Sequence, residues 1–259
     1  MSFRGITRLR NLKYSLKKLV RFLAIARNGN DHLLIENSTL ILTLLTPQFA
    51  PNLFDLASML KADRVILQDV EKWSRKGRTH RAEIRNEEST QWINLPILGK
   101  DRKKAIKDVR LDHSQRWFDP FWNAITHNYK NATWFDFYEN ELKSDIQKIT
   151  EFEYILDFNL YFFNRLLQFL ELNINFELAG NIEGYSTFPD ECAKNLGADI
   201  LFLEYKSKNY QRQSRETQAS VQNHPTYNQA YLGFKPNCSI LDLLLNEGKE
   251  SFKVIDQLK

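Results

Sequence analysis

A chain of 259 residues can bury a substantial core, as one large domain or two small ones. Apolar residues at 42% and charged residues at 26% exclude a disordered or fibrous chain and place it among globular proteins. Eight of its 36 basic residues and none of its 32 acidic ones lie in residues 1–27. The net charge of +4 therefore comes from that arm, and a global nucleic-acid-binding surface is not expected.

Along residues 6–26 the apolar positions Ile6, Leu9, Leu12, Leu16, Leu19, Leu23 and Ile25 recur at helical spacing, with Lys and Arg between them. Residues 1–37 read as a basic amphipathic extension. Its helix either packs on the domain with a solvated basic face or makes a peripheral membrane or protein contact through residues 1–27. Residues 38–250 read as one α/β domain, expected to be Rossmann-like: a parallel central sheet flanked by helices. It begins with a buried strand at Ser38–Thr46. Pro47 and Pro51 then bound a turn, a helix follows over residues 53–60, and a second strand starts at Val65. Such a βαβ unit sets parallel strands side by side with ligands at their carboxyl ends. The first strand is followed by no glycine-rich loop, so neither a Walker motif nor a dinucleotide fingerprint is present and no cofactor is assigned.

The next stretch, residues 62–96, is the best candidate for chemistry. Its strand stops on Asp69, a cationic hairpin with Arg75, Arg78, His80 and Arg81 follows, and a second strand-like run from Trp92 closes at Pro96. Arg75, Arg78 and Arg81 present several guanidiniums suited to bidentate capture of phosphate or carboxylate. The alternative is a solvated turn with surface ion pairs to Glu83, Glu87 and Glu88. Asp69, at a strand end, is a candidate general base, metal ligand, Arg partner or plain turn residue. His80 can act as acid or base near neutral pH.

Residues 106–111 alternate like an edge strand. Aromatic-rich helices are expected from Trp117 to Tyr129 and over most of 134–170, forming a helical insertion at about 113–170. A strand at 174–178, a short helix at 190–196 and a buried strand at 200–203 follow. Lys61-Ala62-Asp63 and Gly197-Ala198-Asp199 both lie between a helix and an apolar strand, which fits two parallel strands fed by helices. Residues 205–222 read as a polar loop and 239–248 as a helix with Asp242 inside an apolar run. A buried carboxylate there needs a partner, for which the arginines of the cationic stretch are the candidates. His224-Pro225 fixes an extended backbone at His224, which can aim its imidazole at a cleft.

Cys192 and Cys238 sit in no CxxC or Cys/His cluster, so neither a metal site nor a disulfide framework is expected. No apolar run reaches the roughly 18 residues of a membrane span, and the start lacks a signal-peptide pattern. A cytoplasmic protein is expected, membrane-associated if the arm docks on lipid.

Several blocks in order carry a family resemblance. They are Leu45-Thr46-Pro47-Gln48-Phe49-Ala50-Pro51, then Ala62-Asp63 with Asp69-Val70-Glu71 and the Arg75–Arg81 segment, then Trp92 to Pro96. Asn128-Tyr129-Lys130-Asn131-Ala132-Thr133-Trp134-Phe135 follows, and a last block runs from His224 to Gly248. Over residues 40–248 the chain resembles the WbqC-like protein family of bacterial surface-polysaccharide (O-antigen) clusters. Where that family opens with His-Gln, this chain has Leu45-Thr46. The resemblance implies a transferase of surface-glycan biosynthesis, moving a glycyl or other acyl group onto an amino sugar. In that reading Asp69, His80 and His224 are catalytic. Arg75, Arg78, Arg81, Lys107, Tyr129 and Tyr227 hold an anionic nucleotide, nucleotide-sugar or activated acyl donor, and Pro47, Pro51 and Asp242 support the site. The alternative is a non-catalytic relative that binds an anionic ligand or a protein partner.

Overall fold

The computed structural model describes residues 39–205 and 223–259; the expected basic helix of 1–37 and residues 206–222 of the polar loop lie outside the described residues. The chain opens β1 (Ile41–Leu45), α1 (Leu53–Lys61), β2 (Arg64–Leu67), β3 (Arg81–Arg85) and β4 (Thr90–Asn94). Three helices follow: α2 (Phe118–Tyr129), α3 (Phe135–Gln147) and α4 (Ile155–Phe169). Then come β5 (Glu177–Leu178), α5 (Pro189–Asn195), β6 (Ile200–Leu203), α6 (Ile240–Glu247) and α7 (Phe252–Ile255).

The fold is mixed α/β. Strands β5, β2, β1 and β6, in that order, form a parallel sheet. Alternation along β1 explains its two faces. Leu45, with Val65 and Leu67 of β2, packs against α1 in the larger core, while Thr43 on the same face donates its hydroxyl to the Ser58 carbonyl of α1. Leu42, Leu44 and Ile66 point the other way, onto Cys192 and Ala193 of α5. Both Ala-Asp segments feed the strands flanking β1. Asp63 and Asp199 clamp its start, accepting hydrogen bonds from the Ile41 and Leu40 backbone N–H groups at 3.0 and 2.7 Å.

Helix α1 begins where Asn52 caps it, its side chain accepting from the Asp55 N–H at 2.8 Å. Helix α5 starts with Pro189 in its first turn, where a missing N–H costs nothing. The larger core joins α1, the β3–β4 hairpin and α2–α4 into one body. The insertion between β2 and β5 is thus wider than the helices expected at 113–170, because it begins with the antiparallel hairpin.

The expected edge strand at 106–111 is instead a 3-10 turn at Ile106–Asp108, after which Leu111 and Arg110 bridge singly to Ile97 and Tyr154. Buried Asp101 fixes that bend, taking the Arg110 side chain at 2.8 and 3.1 Å and the Lys104 ammonium at 2.8 Å. Among the described residues no helix is long and apolar enough to cross a membrane.

Candidate functional site

The connections of the sheet diverge between β1 and β6. The chain leaves β1 over one face through α1 and enters β6 over the other through α5. Open parallel sheets carry their crevice at such a point, outside the carboxyl ends of the strands. The residues that follow these two strands, Thr46 and Glu204, meet there: the Thr46 hydroxyl donates to Glu204 Oε2 at 2.5 Å.

Arg78 closes this end of the sheet. Its Nη1 lies 3.1 Å from Asp55 Oδ2 and 3.3 Å from Glu204 Oε1, and its Nη2 donates to the Tyr205 carbonyl at 2.6 Å. Asp55 also accepts from Gln48 Nε2 at 3.0 Å and from the Tyr205 N–H at 2.8 Å. Two almost fully buried carboxylates thus share one guanidinium. Burial pushes the Glu204 carboxyl above its ordinary range, against the pull of Arg78 and the Thr46 hydrogen bonds. Asn159 of α4 ties the loops together, donating to the Pro47 carbonyl at 3.2 Å and the Thr79 carbonyl at 2.8 Å. Pro51 holds the other end, its carbonyl accepting from the Ile240 N–H of α6 at 2.8 Å.

The residues singled out from the sequence do not gather in one place. Arg78 is enclosed by the two carboxylates, which takes its guanidinium away from the phosphate-holding position expected of it. Arg75 and Lys107 are exposed, and Arg81 stacks on Trp92 at 4.0 Å while donating to the Gly77 and Lys76 carbonyls. Asp69 is buried beside β5's end, where its Oδ1 accepts the Gly180 N–H at 2.8 Å. A Cβ at Gly180 would lie 3.0 Å from the same carboxylate and 3.3 Å from the Val70 side chain, so any larger residue would push on them.

Tyr129, Tyr227 and Asp242 form a separate, enclosed unit. Asp242 accepts from Tyr129 at 2.7 Å, Tyr227 at 2.5 Å and Gln229 at 2.8 Å. Its direct partners are therefore tyrosines and an amide, not the expected arginine of the cationic stretch. Burial raises its carboxyl pKa despite these three donors. Tyr129 is fully buried and also accepts the Arg85 N–H at 3.0 Å, so it supports the fold and presents no surface to a ligand. His224 is wedged between Phe54 at 5.0 Å and Phe234 at 5.3 Å, and Phe54 in turn stacks on Tyr205 at 3.9 Å. An aromatic chain thus links the two polar units.

His80 lies against Trp73, ring centres 4.9 Å apart. Burial, followed by the positive charges of Arg81, Arg102 and Arg75, lowers its pKa to about 4. A base whose folded pKa lies below its unfolded value gives stability that is full above pH 6.5 and lost as pH falls towards 4. His224, also lowered by burial, acts with the same sign. The loss of denaturant stability between pH 7 and pH 4.5 should therefore shrink in His80→Gln. An equal loss in both proteins would contradict the placement of His80.

Sequence reasoning missed Asp55, Glu204 and Asn159. Glu204 had a usable signal: it follows β6 as Thr46 follows β1, and both lie at carboxyl ends of parallel strands. Asp55 and Asn159 lie inside helical runs and carry no such mark. Among the described residues no group of three or more His, Cys, Asp or Glu side chains is placed to hold a metal ion.

The sequence profile of the WbqC-like protein family matches residues 46–254, which takes in the Asp55–Arg78–Glu204 cluster, the cationic stretch and the Asp242 unit. The chain belongs to the WbqC-like protein family. Two blocks of the WbqC-like pattern meet in space, since Tyr129 of one bonds Asp242 of the other and Trp134 packs on Gly248. The WbqC-like chain is also similar to the uncharacterized protein Rv1507c of Mycobacterium tuberculosis, 25% identical over 210 residues, covering 76% of this chain and 89% of the relative. No solved structure matches it.

Proposed function

We propose that this WbqC-like protein is an enzyme of bacterial surface-glycan assembly that transfers a glycyl-type acyl group onto an amino sugar. Its reaction centre is the crevice at the ends of β1 and β6, read as that of a Rossmann-like sheet. The observation that supports this reading is the Asp55–Arg78–Glu204 cluster at the divergence of the sheet connections. Its two carboxylates outnumber its one guanidinium, and Glu204 has a raised pKa, which suits a general base. The amine nitrogen attacks the acyl carbonyl carbon, the C–N bond forms, and the bond to the donor's leaving group breaks. Glu204 takes the proton from nitrogen. Arg75 and Lys107 face the donor's anionic part, while Asp69 and His224 position the loops around the crevice.

The test is turnover measured by mass spectrometry of the sugar product. Glu204→Gln, which keeps the side chain's shape, should lower kcat by about 10²–10⁴ with the melting temperature little changed. In the wild type the rate should rise with pH through the Glu204 pKa, above 4.5, because the base acts unprotonated. Unchanged turnover in Glu204→Gln would sink the assignment. The second reading, a non-catalytic binding protein, draws on Leu45, which lies in the core where the family resemblance places a histidine. Ligand binding by the wild type with no turnover of any donor would favour it.

A further inference from the structure

Behind the cationic hairpin lie two buried nitrogens with no hydrogen-bond partner, Trp73 Nε1 and His80 Nδ1. Trp73 is 6% exposed and His80 8%, and their rings are in contact. An indole nitrogen can only donate, so Trp73 requires an acceptor. The local backbone offers little, because the carbonyls of Ser74, Lys76, Gly77, Arg78, Thr79 and His80 already accept hydrogen bonds. The Lys104 carbonyl is likewise taken, by the Trp73 N–H at 3.0 Å.

That backbone bond, with the bridge from Lys72 to Ala105, pairs the Trp73 segment with the basic loop that carries Arg102. Arg75 and Arg102 are exposed, and neither has an ion-pair partner among the described residues. Two buried nitrogens with no partner, in a segment whose nearby guanidiniums have no ion-pair partner among the described residues, call for one ligand that supplies both. A multiply charged oxyanion does so, and a neutral or cationic group does not.

We propose that Trp73, His80, Arg75 and Arg102 form a seat for the diphosphate group of a phosphorylated substrate. Trp73 Nε1 and His80 Nδ1 donate to phosphoryl oxygens, and the two arginines neutralise the charge. This deepens the transfer reading by naming the anion of the donor. Its test needs no turnover, so either idea can fail alone.

Isothermal titration of the full chain with inorganic pyrophosphate tests the seat. The wild type should bind, and Trp73→Phe, which removes the N–H and keeps an aromatic ring, should weaken binding about tenfold or more. Arg75→Ala should weaken it and reduce its salt dependence. In ¹⁵N-labelled wild type the Trp73 indole N–H resonance should move on adding pyrophosphate and stay fixed with chloride at equal ionic strength, a readout independent of how the variant folds. No binding by the wild type, equal affinity in Trp73→Phe, or an unmoved indole resonance would each overturn the proposal.

Discussion

Replacing Arg78 by Met should cost about 3–5 kcal/mol of folding stability, the usual loss when one partner of a buried ion pair is removed. Asp55 and Glu204 would remain buried without their shared cation, and the Tyr205 carbonyl would lose its donor. At roughly 2–4 °C per kcal/mol for a domain of this size, the melting temperature should fall by about 6–20 °C. The loss should be partly reversed by Asp55→Asn with Glu204→Gln, because neutral amides need no counter-charge. A melting temperature within about 2 °C of wild type would show that Arg78 does not hold the carboxylates. The same reasoning makes Arg75, which is exposed, the better probe of anion binding, since its loss leaves no buried charge behind.

Gly248→Ala is the second severe change. Gly248 ends α6 at φ +51° and ψ −125°, a backbone region that costs a non-glycine residue about 1–3 kcal/mol. A Cβ there would meet the Trp134 ring at 2.2 Å, far inside van der Waals contact. Overpacking of that kind adds about 1–3 kcal/mol, so a total loss of about 2–6 kcal/mol is expected. Trp134 cannot easily retreat, because its backbone N–H donates to the Leu245 carbonyl at 3.0 Å and its ring packs on Phe137 and Tyr138. A denaturant titration checks it. Pairing Gly248→Ala with Trp134→Leu should recover the overpacking share but not the backbone share.

The legible parts of the fold were those where side-chain chemistry and burial agree. β1 and β6 are short apolar runs, and β2 is apolar after its opening arginine. Proline, asparagine or glycine mark the ends of the helices around them. The twin Ala-Asp segments were legible for a physical reason. Each carboxylate reaches a backbone N–H at the start of the central strand, so its position relative to the flanking strand is fixed.

β3 was hidden because Arg-Ala-Glu-Ile-Arg alternates correctly yet ends on an arginine that proves to be fully buried. Arg85 is held by the carbonyls of Asn86, Ser89 and Leu232, an arrangement that no local pattern announces. Residues 106–111 misled in the opposite way. Ile106, Val109 and Leu111 are buried, but from a tight turn anchored by Asp101, whose role depends on contacts with Lys104 and Arg110.

The candidate site divides along the same line. The cationic stretch was visible as a run of charge; it lies in the turns between β2 and the β3–β4 hairpin. What the run could not show is that Arg78 turns inward while Arg75 stays out. That difference is set by Asp55, 23 residues earlier, and Glu204, 126 residues later. Asp242 was recognisable as a buried carboxylate, yet its tyrosine partners lie 15 and 113 residues away.

The most direct test of the whole account is a thermal-shift screen of nucleotide-sugars and activated acyl donors against wild type, Arg75→Ala and Glu204→Gln. A ligand at 100 times its dissociation constant adds about 2.7 kcal/mol, or roughly 5–10 °C here. A donor should stabilise the wild type and Glu204→Gln alike, since the base acts in the chemical step, with the shift largely lost in Arg75→Ala. No stabilisation by any donor, or the same shift in all three proteins, would contradict it.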